Sequence, residues 1–263
     1  MSENVAAHSL YVVGEDDRSR ALARALAAPL AAAPPAGEAL WLRYTDEGLA
    51  LGGDSRRYGQ PLCADLVGGR VGHRRRFGGG RGQLIARACG LAKGVTPDII
   101  DATAGLGRDA AVLAALGARV LMIERQGAIA ALLADALARL GQCEALAGLR
   151  TRLALAEGDS SRELSALVAA QPIAPQVIHL DPMYPHRSGT ALVKKEMRLF
   201  RALAGDDMDA PRLLEQALEV ATHRVVVKRP KGAPPIEGPA PAHHLESKKS
   251  RYDLYVHRSL KSP

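Results

Sequence analysis

Two periods of apolar and polar positions run along this chain of 263 residues. Short apolar runs of strand length stand at residues 10–13, 118–125, 152–156, 177–180, 224–228 and 252–257, and Ile99-Ile100-Asp101 forms another. Alanine- and leucine-rich stretches with helical spacing separate them, among them 18–33, 111–116 and 162–169. The N-terminal part predicts a strand at 10–13, a helix over 18–33 ended by Pro34-Pro35, and a hairpin of 39–44 with 49–51 around Asp46-Glu47-Gly48. From residue 97 onward strand and helix alternate, the pattern of a doubly wound, mostly parallel sheet, with 224–228 and 252–257 as a closing edge hairpin. A small N-terminal α/β unit, 1–72, is thus expected to precede a Rossmann-like unit, 73–263.

Chemistry concentrates where the central strands end. The run Ile99-Ile100-Asp101 leads into Ala102-Thr103-Ala104-Gly105-Leu106-Gly107-Arg108-Asp109-Ala110, read as strand, glycine turn and helix. Gly105 and Gly107 permit a sharp bend and close approach to a ligand, and the helix start behind them carries partial positive charge. A dinucleotide fingerprint would place a third glycine near Asp109, and glycines in such turns are common. The strand 118–125 ends in Glu124-Arg125, where a carboxylate can accept from both ribose hydroxyls, or simply cap a strand. After 152–156 comes Glu157-Gly158-Asp159-Ser160-Ser161, whose short polar side chains can bond an adenine edge or cap the next helix.

The fourth strand runs straight into Asp181-Pro182-Met183-Tyr184-Pro185. The prolines keep the backbone extended and remove N–H donors, so free carbonyls face a cleft. Asp181 and the Pro182 carbonyl can then accept both hydrogens of an exocyclic amine, while Tyr184 covers the base face. A plain proline-stiffened turn would explain the prolines but not the acid or the aromatic. Ligands of open parallel sheets bind beyond the carboxyl ends of the strands, so the four motifs converge on one cleft. An S-adenosylmethionine site next to an amine-binding loop accounts for the series.

With these motifs the chain resembles the small-subunit ribosomal RNA guanine-N2 methyltransferases of the RsmJ type. The resemblance covers most of the chain and is carried by Phe77-Gly78-Gly79-Gly80-Arg81-Gly82, the segment 101–110, Glu124-Arg125, Leu180-Asp181-Pro182-Met183-Tyr184-Pro185 and the segment 191–198. It implies a class I S-adenosylmethionine-dependent fold with a mostly parallel seven-stranded sheet. It further implies cofactor contacts at Arg108, Asp109, Glu124, Arg125, Ser160, Ser161 and Asp181, alongside the Gly105 turn, and methylation of one guanosine near the 3′ end of 16S rRNA. Asp181 and Tyr184 are the expected catalytic residues. From the residues alone, guanine N2, adenine N6 and cytosine N4 amines stay open, and only the resemblance selects guanine.

Composition fits a nucleic-acid enzyme. The net charge of +7 favours a polyanionic partner, here small-subunit rRNA or the 30S particle, and 47% apolar content suffices for one sizeable core and a smaller unit. Three dispersed cysteines and eight histidines without ligand spacing argue against a disulfide framework or a metal site. No signal-like start and no apolar span of membrane length occur, so a reduced, cytoplasmic enzyme is expected. The segment 230–241 reads as a proline-rich surface connection. His73-Arg74-Arg75-Arg76-Phe77-Gly78-Gly79-Gly80-Arg81-Gly82 places four arginines in a flexible glycine setting, for rRNA phosphates or for closing over the cofactor, against the plainer reading of a linker. Lys194, Lys195, Arg198 and Arg201 partly share a helix face beside the loop, and Lys248, Lys249 and Arg251 form a third basic group. Two rivals from other classes are a nicotinamide-dependent oxidoreductase, which has no use for the Asp-Pro loop, and a non-enzymatic rRNA-binding factor, which has no use for a cofactor pocket.

Overall fold

The computed structural model describes residues 9–92, 94–183, 195–205, 208–248 and 250–260, with the backbone alone for 70, 75–77, 195–197 and 204. Leu10–Val13 forms β1, and Asp17–Ala25 forms α1, started by Asp16, whose carboxylate accepts the Ser19 amide at 2.8 Å. The helix expected over 18–33 ends at Ala25 instead. Ala27 turns the chain with a left-handed φ of 47°, and Leu30–Ala31 becomes β2, parallel to β1. Helical periodicity continued through residues whose amides and carbonyls the sheet needs: Val12 donates to the Pro29 carbonyl and Gly14 to that of Ala31. The expected hairpin is present as β3, Leu40–Thr45, and β4, Gly48–Gly52; α2, Ser55–Tyr58, and β5, Leu62–Cys63, complete a five-stranded sheet of order β2-β1-β3-β4-β5.

Helices α3, Gly69–Phe77, and α4, Leu84–Ala88, follow. Residues 73–77 of the arginine-rich segment therefore ride on a helix rather than a flexible stretch, and that helix runs through residue 72. The α4 helix ends at Cys89, which is fully buried, and burial pushes its thiol well above the ordinary range.

Strand and helix then alternate: β6, Ile99–Asp101; α5, Arg108–Ala115; β7, Val120–Glu124; α6, Gly127–Gly141; α7, Ala147–Arg150; β8, Leu153–Glu157; α8, Ser160–Ala169; β9, Val177–Leu180; α9, Lys195–Ala204; α10, Ala210–Val220; β10, Arg224–Pro230; β11, His243–Glu246; and β12, Ser250–Val256. The sheet order is β11-β12-β10-β9-β6-β7-β8. The five strands from β10 to β8 are parallel, and β12 lies antiparallel to β10 as the sequence predicts. The short strand β11, just past the proline-rich connection, was not expected; it pairs with β12 and covers that edge.

Successive residues of β7 face opposite layers, as the pleat requires. Leu121 and Ile123 join Ile100, Ile178, Leu164 of α8 and Leu213 of α10 on one face. Val120 and Met122 face the other layer, where α5 and α6 lie, and that core continues into Leu40, Leu42 and Leu51 of the N-terminal sheet. Asp135 of α6 seals the junction by accepting the Leu49 amide at 3.0 Å and the Arg139 guanidinium at 2.8 Å, and Arg139 also donates to the Ala64 carbonyl. No helix among the described residues is long and apolar enough to cross a membrane.

Candidate active site

The parallel strands deliver their C-terminal residues to one side of the sheet. Gly105 sits at the bend after β6 with φ 54°, a left-handed conformation that suits glycine, and its amide donates to Glu124 Oε2 at 2.9 Å. Glu124 Oε1 accepts the Gln126 amide at 2.8 Å, so two backbone donors fix a carboxylate that is 8% exposed. Arg125, next in chain, pairs with Asp209 at 2.7 Å. Burial alone would raise the Asp209 carboxyl, but Ser161 and Arg125 outweigh it and hold it below the ordinary range.

Asp159 supplies the N-cap of α8. Its Oδ1 accepts the Ser161 amide at 2.9 Å and the Ser161 hydroxyl at 2.7 Å. Capping thus involves Ser161, whereas the buried Ser160 Oγ has no hydrogen-bond partner among the described residues. A buried hydroxyl left unsatisfied at the mouth of a cleft is a position a polar ligand would complete.

The Asp-Pro loop is anchored to the glycine turn, because the Asp181 amide donates to Thr103 Oγ1 at 2.7 Å. Its carboxylate meets a group that the sequence analysis passed over. Lys228 of β10 places Nζ 2.7 Å from Asp181 Oδ2 and 2.7 Å from Asp109 Oδ2, and Asp109 Oδ1 pairs with Arg74 of α3 at 2.6 Å. Four side chains of alternating charge therefore cross the site from α3 to the loop. Burial alone would raise Asp109, but Lys228, His179 and Arg74 hold it well below the usual carboxylate range. Asp181 is raised instead, by burial first and then by Asp109, with Lys228 opposing both. Burial would lower Lys228, and the two carboxylates outweigh it and raise its pKa.

Behind them, Asp101 and His179 are register partners on β6 and β9. Their side chains are buried, with Nδ1 and Oδ1 3.1 Å apart. Burial disfavours the imidazolium, yet Asp101 more than compensates and the His179 pKa is raised. The histidines show no ligand spacing in the sequence, and this one borders the site. A signal for Lys228 existed: it is a lysine at the C-terminal end of an apolar strand, the position that marked the other motifs.

Two cavities meet at the loop. The smaller, about 80 Å³, is walled by Glu124, Arg125, Ser160 and Ser161. The larger, about 1130 Å³, is walled by Arg74, Arg108, Asp109, Lys228 and the segment 230–234. Thr103, Gly105, Asp181, Met183 and Phe200 border both. The expected cofactor residues are thus divided between the two, with Gly105 and Asp181 at the join. Arg81 is drawn elsewhere: it donates to the Val95 and Leu116 carbonyls and to Thr96 Oγ1, tying the loop before β6 to the end of α5. Tyr184, Pro185, Lys194 and Lys249 lie outside the described residues, as does the side chain of Lys195.

Residues 26–257 match the family model described as "Putative SAM-dependent methyltransferase", SAM denoting S-adenosylmethionine. Over 250 residues, 95% of this chain and 98% of the relative, the chain is 64% identical to ribosomal RNA small subunit methyltransferase J of Chromohalobacter salexigens. It is 51% identical to the protein of that name from Pseudomonas aeruginosa over 247 residues, 93% of this chain and 92% of the relative. The crystal structure of a SAM-dependent methyltransferase from Neisseria gonorrhoeae superposes with a TM-score of 0.73 at 31% identity, covering 94% of this chain and 95% of that one. A parallel sheet with its glycine turn, acid and Asp-Pro loop at one end, matched to these relatives over nearly its whole length, places the chain in the family of S-adenosylmethionine-dependent methyltransferases, beside the ribosomal RNA small subunit methyltransferase J proteins.

Proposed function

We propose that this protein methylates the exocyclic N2 amine of a guanosine in small-subunit ribosomal RNA, the RNA named for its relatives, and does so in the cytoplasm. The observation that carries the reading is the position of Asp181, on the wall common to both cavities and directly after the strand that ends in Leu180. S-adenosylmethionine, when bound, supplies an electrophilic methyl group. Glu124, Arg125, Ser160 and Ser161 would hold its nucleoside part, with the unpartnered Ser160 hydroxyl gaining a bond. A cavity of about 80 Å³ is too small for a whole nucleoside cofactor, so the remainder reaches past Gly105 towards Arg108 and Asp109. The larger cavity is then left for the target base, and Arg74, Arg108 and Arg201 on its wall suit a phosphate chain.

The guanine amine is a weak nucleophile because its lone pair is delocalised into the ring, so the chain must align it. Asp181 and the Pro182 carbonyl accept its two hydrogens and favour the positive charge that develops on nitrogen. The proton that nitrogen sheds passes to the Asp181 carboxylate or to water. Burial raises Asp181 above an ordinary aspartate, which makes it a better acceptor than the sequence alone suggests. Tyr184, from its place in the sequence, would stack on the base.

The decisive experiment supplies isotope-labelled S-adenosylmethionine and unmethylated small-subunit rRNA or particles, then identifies the labelled nucleoside by mass spectrometry. Label in N2-methylguanosine is expected. Label in N6-methyladenosine or N4-methylcytidine would overturn the base, and no label would overturn the reaction. Asp181→Ala should abolish turnover with only a modest loss of RNA affinity, and substantial residual turnover would remove Asp181 from the mechanism.

A further inference from the structure

Lys228 stands where the chemistry proposed above has no explicit need of a cation. Its ammonium lies 2.7 Å from one oxygen of Asp109 and 2.7 Å from one oxygen of Asp181, while Asp109 already has Arg74 at 2.6 Å. An ion pair serving stability alone would be complete with Arg74 and Asp109. The added lysine instead extends the chain of charges to the loop that faces the cavities, and its side chain remains 27% exposed. It occupies Asp181 Oδ2, and Oδ1 has no partner among the described residues.

We propose that Lys228 is a positioning residue for methyl transfer: gripped between Asp109 and Asp181, it keeps the Asp181 carboxylate ionised and fixed, so that its other oxygen accepts from the target amine. This rests on the reading of Asp181 as the amine acceptor. A protonated Asp181 would present an O–H donor to an amine that itself offers hydrogens, which is the wrong polarity. Burial and the neighbouring Asp109 both push Asp181 towards that neutral form, and the ammonium opposes them. The remaining groups bearing on this pair are His179 of β9 with its partner Asp101 of β6, Arg74 of α3 acting on Asp109, and Tyr252 of β12. His179 and Arg74 do not touch Asp181 with a hydrogen bond; His179 acts on it through charge alone, and Lys228 is the cation in direct contact with it.

The sign of the expected effect differs between two variants, which separates positioning from mere folding. Lys228→Met keeps the apolar stem and removes the charge, so Asp181 should ionise only at higher pH. The acid limb of kcat/KM against pH should move up by about one unit or more, with about tenfold less activity on that limb and recovery at alkaline pH. Asp109→Asn removes the competing carboxylate, so the limb should move to lower pH whatever the height of the plateau. Lys228→Arg retains the charge and should leave the limb where the wild type has it. Rates would be measured with saturating S-adenosylmethionine and varied rRNA, so that kcat/KM for the RNA is obtained at each pH, alongside calorimetric binding of S-adenosylmethionine and thermal melting.

Opposite shifts in the Met and Asn variants support the assignment. Uniform loss in Lys228→Met with the limb in place, or an unmoved limb in Asp109→Asn, overturns it. If Lys228→Met does not fold, the direction of the Asn shift decides alone. A wild type that labels no amine defeats the underlying methyl-transfer reading instead, and is distinguishable because no pH profile then exists.

Discussion

At the scale of single residues, the acids at strand ends were legible in the sequence because their positions follow from topology: a parallel strand must deposit its last residue beside the cleft. Glu124 and Asp181 both stand there. Their partners were harder to read. That Glu124 would spend both oxygens on the amides of Gly105 and Gln126 depends on a turn geometry that spacing does not encode. Lys228 was hidden because its strand was read as a sheet edge, when β10 in fact lies next to β9 and opens on the same cleft. The two serines after Asp159 divide the roles that the sequence left open, Ser161 being held by the cap and Ser160 left without a partner. Ser160→Ala should therefore weaken S-adenosylmethionine binding about fivefold, the worth of one neutral hydrogen bond of about 1 kcal/mol, without lowering the melting temperature of the free protein. Titration calorimetry and a thermal melt check the two halves, and a destabilised free protein would mean that the hydroxyl has a structural partner.

At the scale of elements, strands were easier to read than helix ends. The periods at 10–13 and 177–180 return as strands with those limits, while the helix expected over 18–33 stops at Ala25. Alanine fits a helix and equally tolerates the turn that replaces it, so composition could not place the boundary. The exposed Ala27 carries the cost of that turn, with φ 47°. Ala27→Gly should stabilise the protein by about 0.5–1 kcal/mol, because relief of the left-handed strain exceeds the added freedom of the unfolded chain. A melting temperature raised by about 2 °C would agree, and a lowered one would mean that the Ala27 methyl packs where it is now exposed. The arginine-rich segment is the converse case. Glycines at 78–80 and 82 suggested a flexible stretch from residue 73 onward, but α3 carries residues 73–77 and breaks only at Gly78. Its Arg74 is thereby aimed at Asp109.

At the scale of the whole molecule, the sequence suggested two units, and the packing joins them through one core. Leu40, Leu42 and Leu51 of the small sheet belong to the same apolar cluster as Val120 and Met122 of the large one, and Asp135 bridges the two by hydrogen bonds. A shared core predicts one cooperative transition. The single tryptophan, Trp41, lies in the small sheet and is 7% exposed, so its fluorescence reports that part alone. Its melting curve should coincide with that of far-ultraviolet circular dichroism, which averages over the whole chain. Two separated curves would show that the small sheet unfolds on its own.

The burial of Cys89 has a bearing on how the molecule can be watched. Its sulfur sits in the core close enough to Asp101 and Asp109 to feel their charges, with no solvent-accessible surface and a thiol that resists ionisation. A thiol reagent can reach it only during an opening event, so the labelling rate at this natural position times how often the floor of the site comes apart. Ligands that brace the cleft would slow that clock without ever touching the sulfur.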